Sequence, residues 1–231
     1  MIGLAVLDLD GTLVDSAAHC AAIVNVMLAD RGSAARVTGN DARRLISGGA
    51  SGLVAGLLGR DMCDPDRDLV EFRQRYADMP TPAASPFEGV AEGLASLYHA
   101  GVRLAVCSNK PQGLCEKVLS DLGLDRYFAA VVGSTPAAPS KPDPSHLVRT
   151  LVEAGGENAR ACYVGDSAID HAVAAKVGLP FILVTYGYAE PDETFAGAHR
   201  ADHFAAVAPL VLGLLGELQD GDASLARSAR G

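Results

Sequence analysis

The sequence contains no tryptophan, no secretory-signal pattern and no apolar run long enough to cross a membrane. Its two longest apolar stretches, 45–59 and 204–218, are interrupted by glycines and by Pro209, and each is shorter than the about 20 residues that span a bilayer. No basic region precedes the apolar run at the N-terminus, as a secretory signal would require. We therefore expect a cytoplasmic protein with no membrane partner.

Positive charge is also scarce, because 19 Lys and Arg residues stand against 28 Asp and Glu residues, a net charge of −9. Nucleic acids and anionic membranes bind positive surfaces, so neither is expected as a partner. A small anionic substrate is compatible with this composition, because a local cation outweighs the global field over a short distance.

Paired cysteine motifs are missing as well. The five cysteines are an odd number, and they form neither a CxxC pair nor a Cys/His cluster with zinc spacing. They are Cys20, Cys63, Cys107, Cys115 and Cys162. Free thiols in a reducing compartment are the expectation.

What the sequence does contain is an alternation of short apolar runs with helical patterns. The runs are "IGLAVLDL" (2–9), "VRLAVC" (102–107), "FAAVV" (128–132), "ACYV" (161–164) and "FILV" (181–184). Helical patterns lie between them, at 89–100, 112–122, 145–154 and 168–177. This alternation predicts an α/β fold, a Rossmann-like, doubly wound parallel sheet with right-handed crossovers.

One interval, 16–85, has no convincing buried strand. It is predicted to form helices near 17–30, 40–45, 51–58 and 66–76, and it ends in the proline-rich linker "MPTPAASPF". We predict a catalytic core formed by 1–15 and 86–231, with an α-helical cap inserted at 16–85. Within the core, the small polar residues of 220–231 predict a flexible tail.

Polar residues follow several predicted strands, and ligands bind at the carboxyl ends of strands in such sheets. They are Asp8 and Asp10, Ser108 and Asn109, Lys141 in "SKPDPS", and Asp166 and Asp170. Each alone is more often a turn, a helix cap or an ordinary loop residue. Their common location at one edge of the sheet is what indicates a site.

Asp8 and Asp10 lie on one face of the first strand, because strand side chains alternate. Two adjacent carboxylates repel each other unless a cation lies between them. Asp166 and Asp170 add to this repulsion, so a hard divalent ion such as Mg²⁺ is expected. Lys141 adds a fixed positive charge, and amides at a helix start after Ser108 suit a phosphate oxygen.

The sequence resembles the haloacid dehalogenase superfamily of phosphohydrolases over nearly its whole length. The four signatures of that superfamily are matched in order by "DLDGTLVDS", "SNK", "KPDP" and "GDSAID". The stretches "GTLVDS", "RRLISGGASGL", "SNKP" and "TYGY" are most similar to its phosphoglycolate phosphatase group. The helical insert is similar to the small cap of that superfamily.

The resemblance implies a role for each signature carboxylate. Asp8 is the nucleophile that forms an aspartyl-phosphate, and Asp10 is the general acid and then the general base. Mg²⁺ is held by the Asp8 carboxylate, the backbone carbonyl of Asp10 and Asp166, with Asp170 as a ligand or as support for one.

The resemblance also implies a phosphate-binding set. Ser108 and Asn109 bind the transferring phosphoryl group, and Lys141 offsets the charge on the nucleophile and on the phosphoryl oxygens. Gly11, which directly follows Asp10, belongs to the same set and permits the tight turn that directs Asp10 at the site.

The cap is expected to select the substrate. Arg44, before "LISGGAS", is a candidate for contacting a substrate carboxylate, and the alternative is that Arg43 and Arg44 are a solvated helix end. His19 and Cys20 are expected to have ordinary surface or core roles. The interval 16–85 contains no lysine, which argues against the Schiff-base chemistry of phosphonoacetaldehyde hydrolases.

The function predicted from these motifs is Mg²⁺-dependent hydrolysis of a small phosphomonoester, with 2-phosphoglycolate favoured. A sugar-phosphate phosphatase or a phosphoglucomutase of the same superfamily is the alternative within this class. A non-catalytic phospho-acceptor or interaction module is the alternative of another class. The protein is expected to be a monomer or a homodimer. Asp15 is expected to mark the exit into the cap, with Ser16 at the start of a helix.

Overall fold

The structure is a computed structural model that describes residues 3–46, 49–156, 160–189 and 193–216. At its centre lies a six-stranded parallel sheet in the order β3-β2-β1-β4-β5-β6. The strands are β1 (Gly3–Leu7), β2 (Val102–Pro111), β3 (Phe128–Ser134), β4 (Ala161–Gly165), β5 (Phe181–Val184) and β6 (His199–Ala201). This order confirms the predicted doubly wound sheet. The chain begins on the central strand β1, builds one half of the sheet outward to β3, and then builds the other half from β4 to β6.

Helices separate β1 from β2. They are α1 (Ala17–Asp30), α2 (Gly39–Arg43), α3 (Gly49–Leu58) and α4 (Pro65–Asp78). Asp64 starts α4 by accepting a hydrogen bond from the Arg67 amide, and Pro65 occupies the first helical position, where no amide donor is needed. These helices confirm the predicted α-helical insert.

The remaining helices cover both faces of the sheet. They are α5 (Val90–His99), α6 (Gln112–Asp121), α7 (Pro144–Glu153), α8 (Ala168–Val177) and α9 (207–216). Alternate side chains of β1 enter different apolar clusters: Leu7 packs in the cluster that contains Leu94, and Val6 packs in the cluster that contains Leu147. This two-sided burial explains the continuous apolar run of β1. Within the described residues, none of the helices has the length and apolar character needed to cross a bilayer.

Two segments join the insert to the sheet, and they run side by side. The Asp15 amide donates to the Ser85 carbonyl at 2.7 Å, and the Phe87 amide donates to the Leu13 carbonyl at 3.1 Å. The chain thus leaves and re-enters the core at one place, next to the end of β1. This arrangement places the insert over the carboxyl edge of the sheet.

Two elements of the fold were not predicted from the sequence. His199 and Arg200 of β6 are exposed, so this three-residue edge strand carries no apolar pattern. Helix α9 lies within the apolar stretch 204–218, which is too short to cross a bilayer and for which no helix was predicted. The predicted tail at 220–231 lies outside the described residues.

Candidate active site

The register of the sheet brings the predicted polar residues together. Leu7 at the end of β1 lies opposite Val106 of β2 and Val164 of β4. The residues that follow these positions therefore leave the sheet side by side at its carboxyl edge. They border a cavity of about 220 Å³. The core side chains that line it include Asp8, Asp10, Ser108, Asn109, Lys110, Lys141, Asp166 and Tyr188.

Lys141 lies between two carboxylates. Its Nζ is 2.9 Å from Asp8 Oδ1, a charge contact without hydrogen-bond alignment, and 2.7 Å from Asp170 Oδ1, to which it donates a hydrogen bond. The Tyr163 hydroxyl also contacts both Lys141 Nζ and Asp170 Oδ1, each at 3.0 Å. Asp8, Lys141 and Asp170 are all buried, so this ammonium group is fixed beside Asp8.

Burial dominates the ionisation of these groups. It raises the pKa of Asp8 to about 7, against the lowering effect of Lys141. Burial, together with the charges of Asp170 and Asp8, raises the pKa of Asp166 well above its usual value. Burial alone would lower the pKa of Lys141, but the carboxylates of Asp170 and Asp8 outweigh it and raise that pKa. Lys141 by itself therefore does not stabilise the charged forms of Asp8 and Asp166 enough to offset their burial.

These carboxylates have the composition of a divalent metal site. Asp8, Asp166 and Asp170 each offer an oxygen within 4.8 Å of the others. Asp8 Oδ1 is buried and accepts no hydrogen bond, whereas both oxygens of Asp170 accept hydrogen bonds, from Lys141 and Tyr163 on one and from Ser167 on the other. An all-oxygen set in which buried Asp8 Oδ1 accepts no hydrogen bond fits a hard divalent cation.

Two glycines confine Asp166. Gly11 has a φ of 86°, and a Cβ at Gly11 would overlap Asp166 Oδ2. A Cβ at Gly187 would overlap the Asp166 side chain from another direction. Asp166 also accepts hydrogen bonds from the Thr12 hydroxyl at 3.1 Å and from the Tyr188 amide at 2.8 Å. The loops after β1 and β5 therefore fix the orientation of this carboxylate.

Lys110 is a site residue that sequence reasoning missed. Its Nζ lies 3.0 Å from both carboxylate oxygens of Asp10, and its side chain is only 8% exposed. The same Nζ lies 4.3 Å from the ring centroid of Tyr76 on α4. Burial alone would lower the pKa of Lys110, but the Asp10 carboxylate together with Tyr76 and Cys20 outweighs burial and raises that pKa. The signal was present in "SNK", where the lysine directly follows two signature residues.

Ser108 and Asn109 occupy the end of β2. Ser108 is buried, and its hydroxyl accepts a hydrogen bond from the Lys110 amide at 3.3 Å. The Asn109 side chain exchanges two hydrogen bonds of 2.9 Å with the backbone of Lys141. Both residues line the cavity, and Asn109 also joins the β2 end to the loop that carries Lys141.

Tyr188 connects the predicted metal site to the entry of the insert. Its hydroxyl donates to Asp15 Oδ1 at 2.9 Å and accepts from the Ser16 amide at 3.0 Å. Arg43 forms an ion pair with Asp15 and lies over the Tyr188 ring. Ser16 precedes α1, as predicted, but its side chain makes no capping hydrogen bond. The "TYGY" stretch thus ties the core to the segment that leaves it.

The structure does not bring Arg44 to the cavity. Its side chain is 70% exposed and pairs with Asp41 of its own helix, so the helix-end alternative describes it. The insert residues that line the cavity are Ser16, Cys20, Ile46, Gly49, Ala50, Leu53, Phe72, Arg73 and Tyr76. His19 is buried against Tyr76, with ring centroids 4.6 Å apart, and burial lowers its pKa to about 4. Arg73, which no motif singled out, is the arginine among these residues.

Comparisons with known proteins agree with this geometry. The family model for haloacid dehalogenase-like hydrolases matches residues 5–184. A phosphoglycolate phosphatase of Agrobacterium fabrum is 37% identical over 219 residues, covering 89% of this chain and 91% of the relative. A phosphoglycolate phosphatase of Cupriavidus necator is 40% identical over 189 residues, covering 80% and 81%.

A solved structure of a predicted phosphoglycolate phosphatase from Haemophilus somnus superposes with a TM-score of 0.76. It is 24% identical and covers 90% of this chain and 97% of that one, so it shows a shared fold. The family model and the two relatives confirm the resemblance found in the sequence motifs. The chain belongs to the haloacid dehalogenase-like hydrolase family.

Proposed function

We propose that this chain is a Mg²⁺-dependent phosphomonoester hydrolase that cleaves 2-phosphoglycolate through an aspartyl-phosphate on Asp8. Its family and its relatives make it a phosphatase, so the proposal concerns the substrate, the metal and the roles of individual residues. The observation that carries the proposal is the buried Asp8 carboxylate, which lines the cavity beside Lys141 while Lys110 contacts Asp10.

Asp8 would act first, by attacking phosphorus with one carboxylate oxygen. The bond between phosphorus and the leaving oxygen breaks, and Asp10 gives that oxygen its proton. Asp10 then takes a proton from water, which attacks the phosphorus of the aspartyl-phosphate and releases inorganic phosphate and the Asp8 carboxylate. Lys110 is a positioning residue in this scheme, because its contacts to both oxygens fix the Asp10 carboxylate.

The phosphoryl group would be bound by the charged and polar groups around Asp8. Lys141 offsets negative charge on the transferring oxygens, and Ser108 and Asn109 border the same part of the cavity. Mg²⁺ would be held by Asp8, Asp166 and the Asp10 carbonyl, and when bound it supplies charge neutralisation at the phosphoryl group.

Asp170 is proposed to support the site from behind. Its carboxylate accepts hydrogen bonds from Lys141, Tyr163 and Ser167 and is fully buried, and Asp170 does not appear among the described residues that line the cavity. We assign it the role of orienting Lys141, which the sequence left open as an alternative to metal ligation.

A compact substrate is supported by the size of the cavity. The cavity volume of about 220 Å³ is below the roughly 300–1,000 Å³ that is typical of pockets enclosing drug-sized ligands. A two-carbon phosphorylated acid fits within such a space. The names of the two relatives favour the same substrate.

The division into a core and a cap at 16–85 is part of the proposal. The insert supplies one wall of the cavity through Leu53, Phe72 and Tyr76, as expected of a cap that excludes water during turnover. The protein is proposed to act as a monomer or a homodimer. The five free cysteines support a cytoplasmic location.

The test is phosphate release from 2-phosphoglycolate, glucose 1-phosphate and glucose 6-phosphate, each measured with Mg²⁺ and with a chelator. We expect kcat/KM for 2-phosphoglycolate to exceed that of either sugar phosphate by at least about tenfold, the discrimination that about 1.4 kcal/mol gives. Activity should vanish with the chelator and return with Mg²⁺.

Faster release from the sugar phosphates would contradict the substrate, and glucose 1-phosphate converted to its isomer would identify a mutase. Release of phosphate from none of the three esters would favour the phospho-acceptor alternative. Full activity in the presence of chelator would contradict the metal.

A further inference from the structure

We propose that Arg73 of α4 binds the carboxylate of the substrate and so determines its selection. This inference rests on the proposed function and goes beyond it by naming the residue that distinguishes a phosphorylated acid from a neutral phosphoester. It replaces Arg44, which was one candidate for this contact from the sequence, with an arginine that lines the cavity.

The described wall of the cavity contains three carboxylates and three cations. They are the carboxylates Asp8, Asp10 and Asp166 and the cations Lys110, Lys141 and Arg73. The two lysines already have carboxylate partners, Lys110 at 3.0 Å from Asp10 and Lys141 at 2.9 Å from Asp8. No described acidic side chain forms an ion pair with Arg73. Its guanidinium is therefore available for a ligand.

The other arginines of the insert either have partners or lie away from the cavity. Those in ion pairs are Arg31, Arg43, Arg44 and Arg75. Arg36 donates to backbone carbonyls. Arg60 and Arg67 have no ion pair in the described ranges, and they do not line the cavity. Among the described residues of the insert, Arg73 is the one arginine that lines the cavity and has no ion pair.

Arg73 lies on α4 one turn away from Tyr76, which contacts the site. Tyr76 lies three residues later, on the same side of the helix and about 4.5 Å further along its axis. The Tyr76 ring contacts Lys110 Nζ, which in turn holds Asp10. Asp10 serves the leaving oxygen in the proposed mechanism. The leaving group and its carboxylate therefore lie beside the stretch of α4 that carries Arg73.

The rest of the cap wall has few groups that could form hydrogen bonds with a polyol such as a sugar. Ile46, Ala50, Leu53 and Phe72 line it with apolar side chains. Sugar hydroxyls buried against these side chains would lose hydrogen bonds to water without replacement. A guanidinium, by contrast, binds a carboxylate through two parallel hydrogen bonds. The wall thus suits a short leaving group with one terminal carboxylate.

The test compares 2-phosphoglycolate with 2-hydroxyethyl phosphate, which has a neutral hydroxymethyl group in place of the carboxylate. In Arg73→Gln we expect kcat/KM for 2-phosphoglycolate to fall about 10- to 100-fold, mainly through KM, as for the loss of a charge-assisted pair. The value for 2-hydroxyethyl phosphate should stay within about twofold. Arg73→Lys should recover part of the loss, because it keeps the charge without the two-pronged geometry.

Arg67→Gln is the matched control, because Arg67 is exposed on the same helix but does not line the cavity. It should leave both substrates within about twofold of the unaltered protein. Thermal unfolding of both variants checks that they fold, as expected for exposed side chains.

Each outcome bears on the proposal. An equal loss for both substrates, or no loss for either, would overturn the role of Arg73 and leave the proposed function standing. If the unaltered protein does not prefer 2-phosphoglycolate to 2-hydroxyethyl phosphate, the proposed substrate fails and this inference fails with it. Measuring the unaltered protein first separates the two cases.

Discussion

The carboxyl edge of the sheet and the cap wall opposite it are organised differently. At the sheet edge, charges meet partners within 3.0 Å: Lys141 contacts Asp8 and Asp170, and Lys110 contacts Asp10. On the cap wall, Arg73 has no ion pair among the described residues, and its neighbours are mostly apolar. The charges of the sheet edge are thus preorganised for one reaction, whereas the proposed partner of Arg73 on the cap wall is the carboxylate of the substrate. The predictions that follow test this separation of chemistry from selection.

The largest effect is expected from Asp10→Asn, which removes the proton carrier and keeps the shape of the side chain. We expect kcat for 2-phosphoglycolate to fall about 10²- to 10⁴-fold, the range for loss of general acid–base catalysis. Steady-state phosphate release measures it. Asp66→Asn, at an exposed position on α4, is the control and should change kcat by less than about twofold. A small effect of Asp10→Asn would remove Asp10 from the chemistry.

A smaller effect is expected from Lys110→Gln, because Asp10 remains but loses the ammonium that holds both of its oxygens. We expect kcat to fall about 10- to 100-fold, as for the loss of a buried charged partner. The fall should be equal for 2-phosphoglycolate and for 2-hydroxyethyl phosphate, because Lys110 acts through Asp10.

Lys117→Gln is the control for Lys110, since Lys117 pairs with Asp121 and does not line the cavity. It should leave both substrates nearly unchanged. A loss in Lys110→Gln that is confined to 2-phosphoglycolate would instead assign Lys110 to carboxylate binding, and the separation of edge and wall would break down.

The smallest effect is expected from Tyr188→Phe, which removes the hydroxyl that joins Asp15 to the Ser16 amide. Leaving these groups unpaired should lower the free energy of unfolding by about 1–3 kcal/mol. We expect kcat to fall less than about fivefold, since the altered contacts lie at the entry to the insert. Chemical denaturation and steady-state kinetics measure the two effects.

Tyr98→Phe provides the comparison, because Tyr98 is 51% exposed on α5. It should change the free energy of unfolding by less than about 0.5 kcal/mol. Equal stability of the two variants would show that the Tyr188 hydroxyl does not hold the insert to the core.

The same contrast explains what could be predicted from the sequence. Strands β1, β2, β4 and β5 were readable because burial imposes continuous apolar runs, and β3, although only partly buried at one edge, is also apolar. Strand β6 is short, polar and at the other edge. Asp8 and Asp166 follow such strands directly, so the register of a parallel sheet was enough to bring them together.

The cap wall was not readable in this way. Which side chain of a helix reaches the cavity depends on how α1, α3 and α4 pack, and no periodic pattern distinguishes Arg73 from Arg67. Arg44 was a candidate because glycines follow it, but it pairs with Asp41 at the end of its own helix. Lys110 was overlooked because its partner Asp10 is 100 positions away in the chain.

The most direct test of the account is the detection of phosphate on Asp8. Asp10→Asn should be mixed with an aryl phosphate such as p-nitrophenyl phosphate, whose leaving group needs no proton, and quenched in acid. Because the variant lacks the base for the second step, we expect a burst of one nitrophenol per active site and covalent phosphate at Asp8 by peptide mass spectrometry. Linear nitrophenol release without a phosphorylated Asp8, or full turnover by Asp8→Asn, would contradict the account.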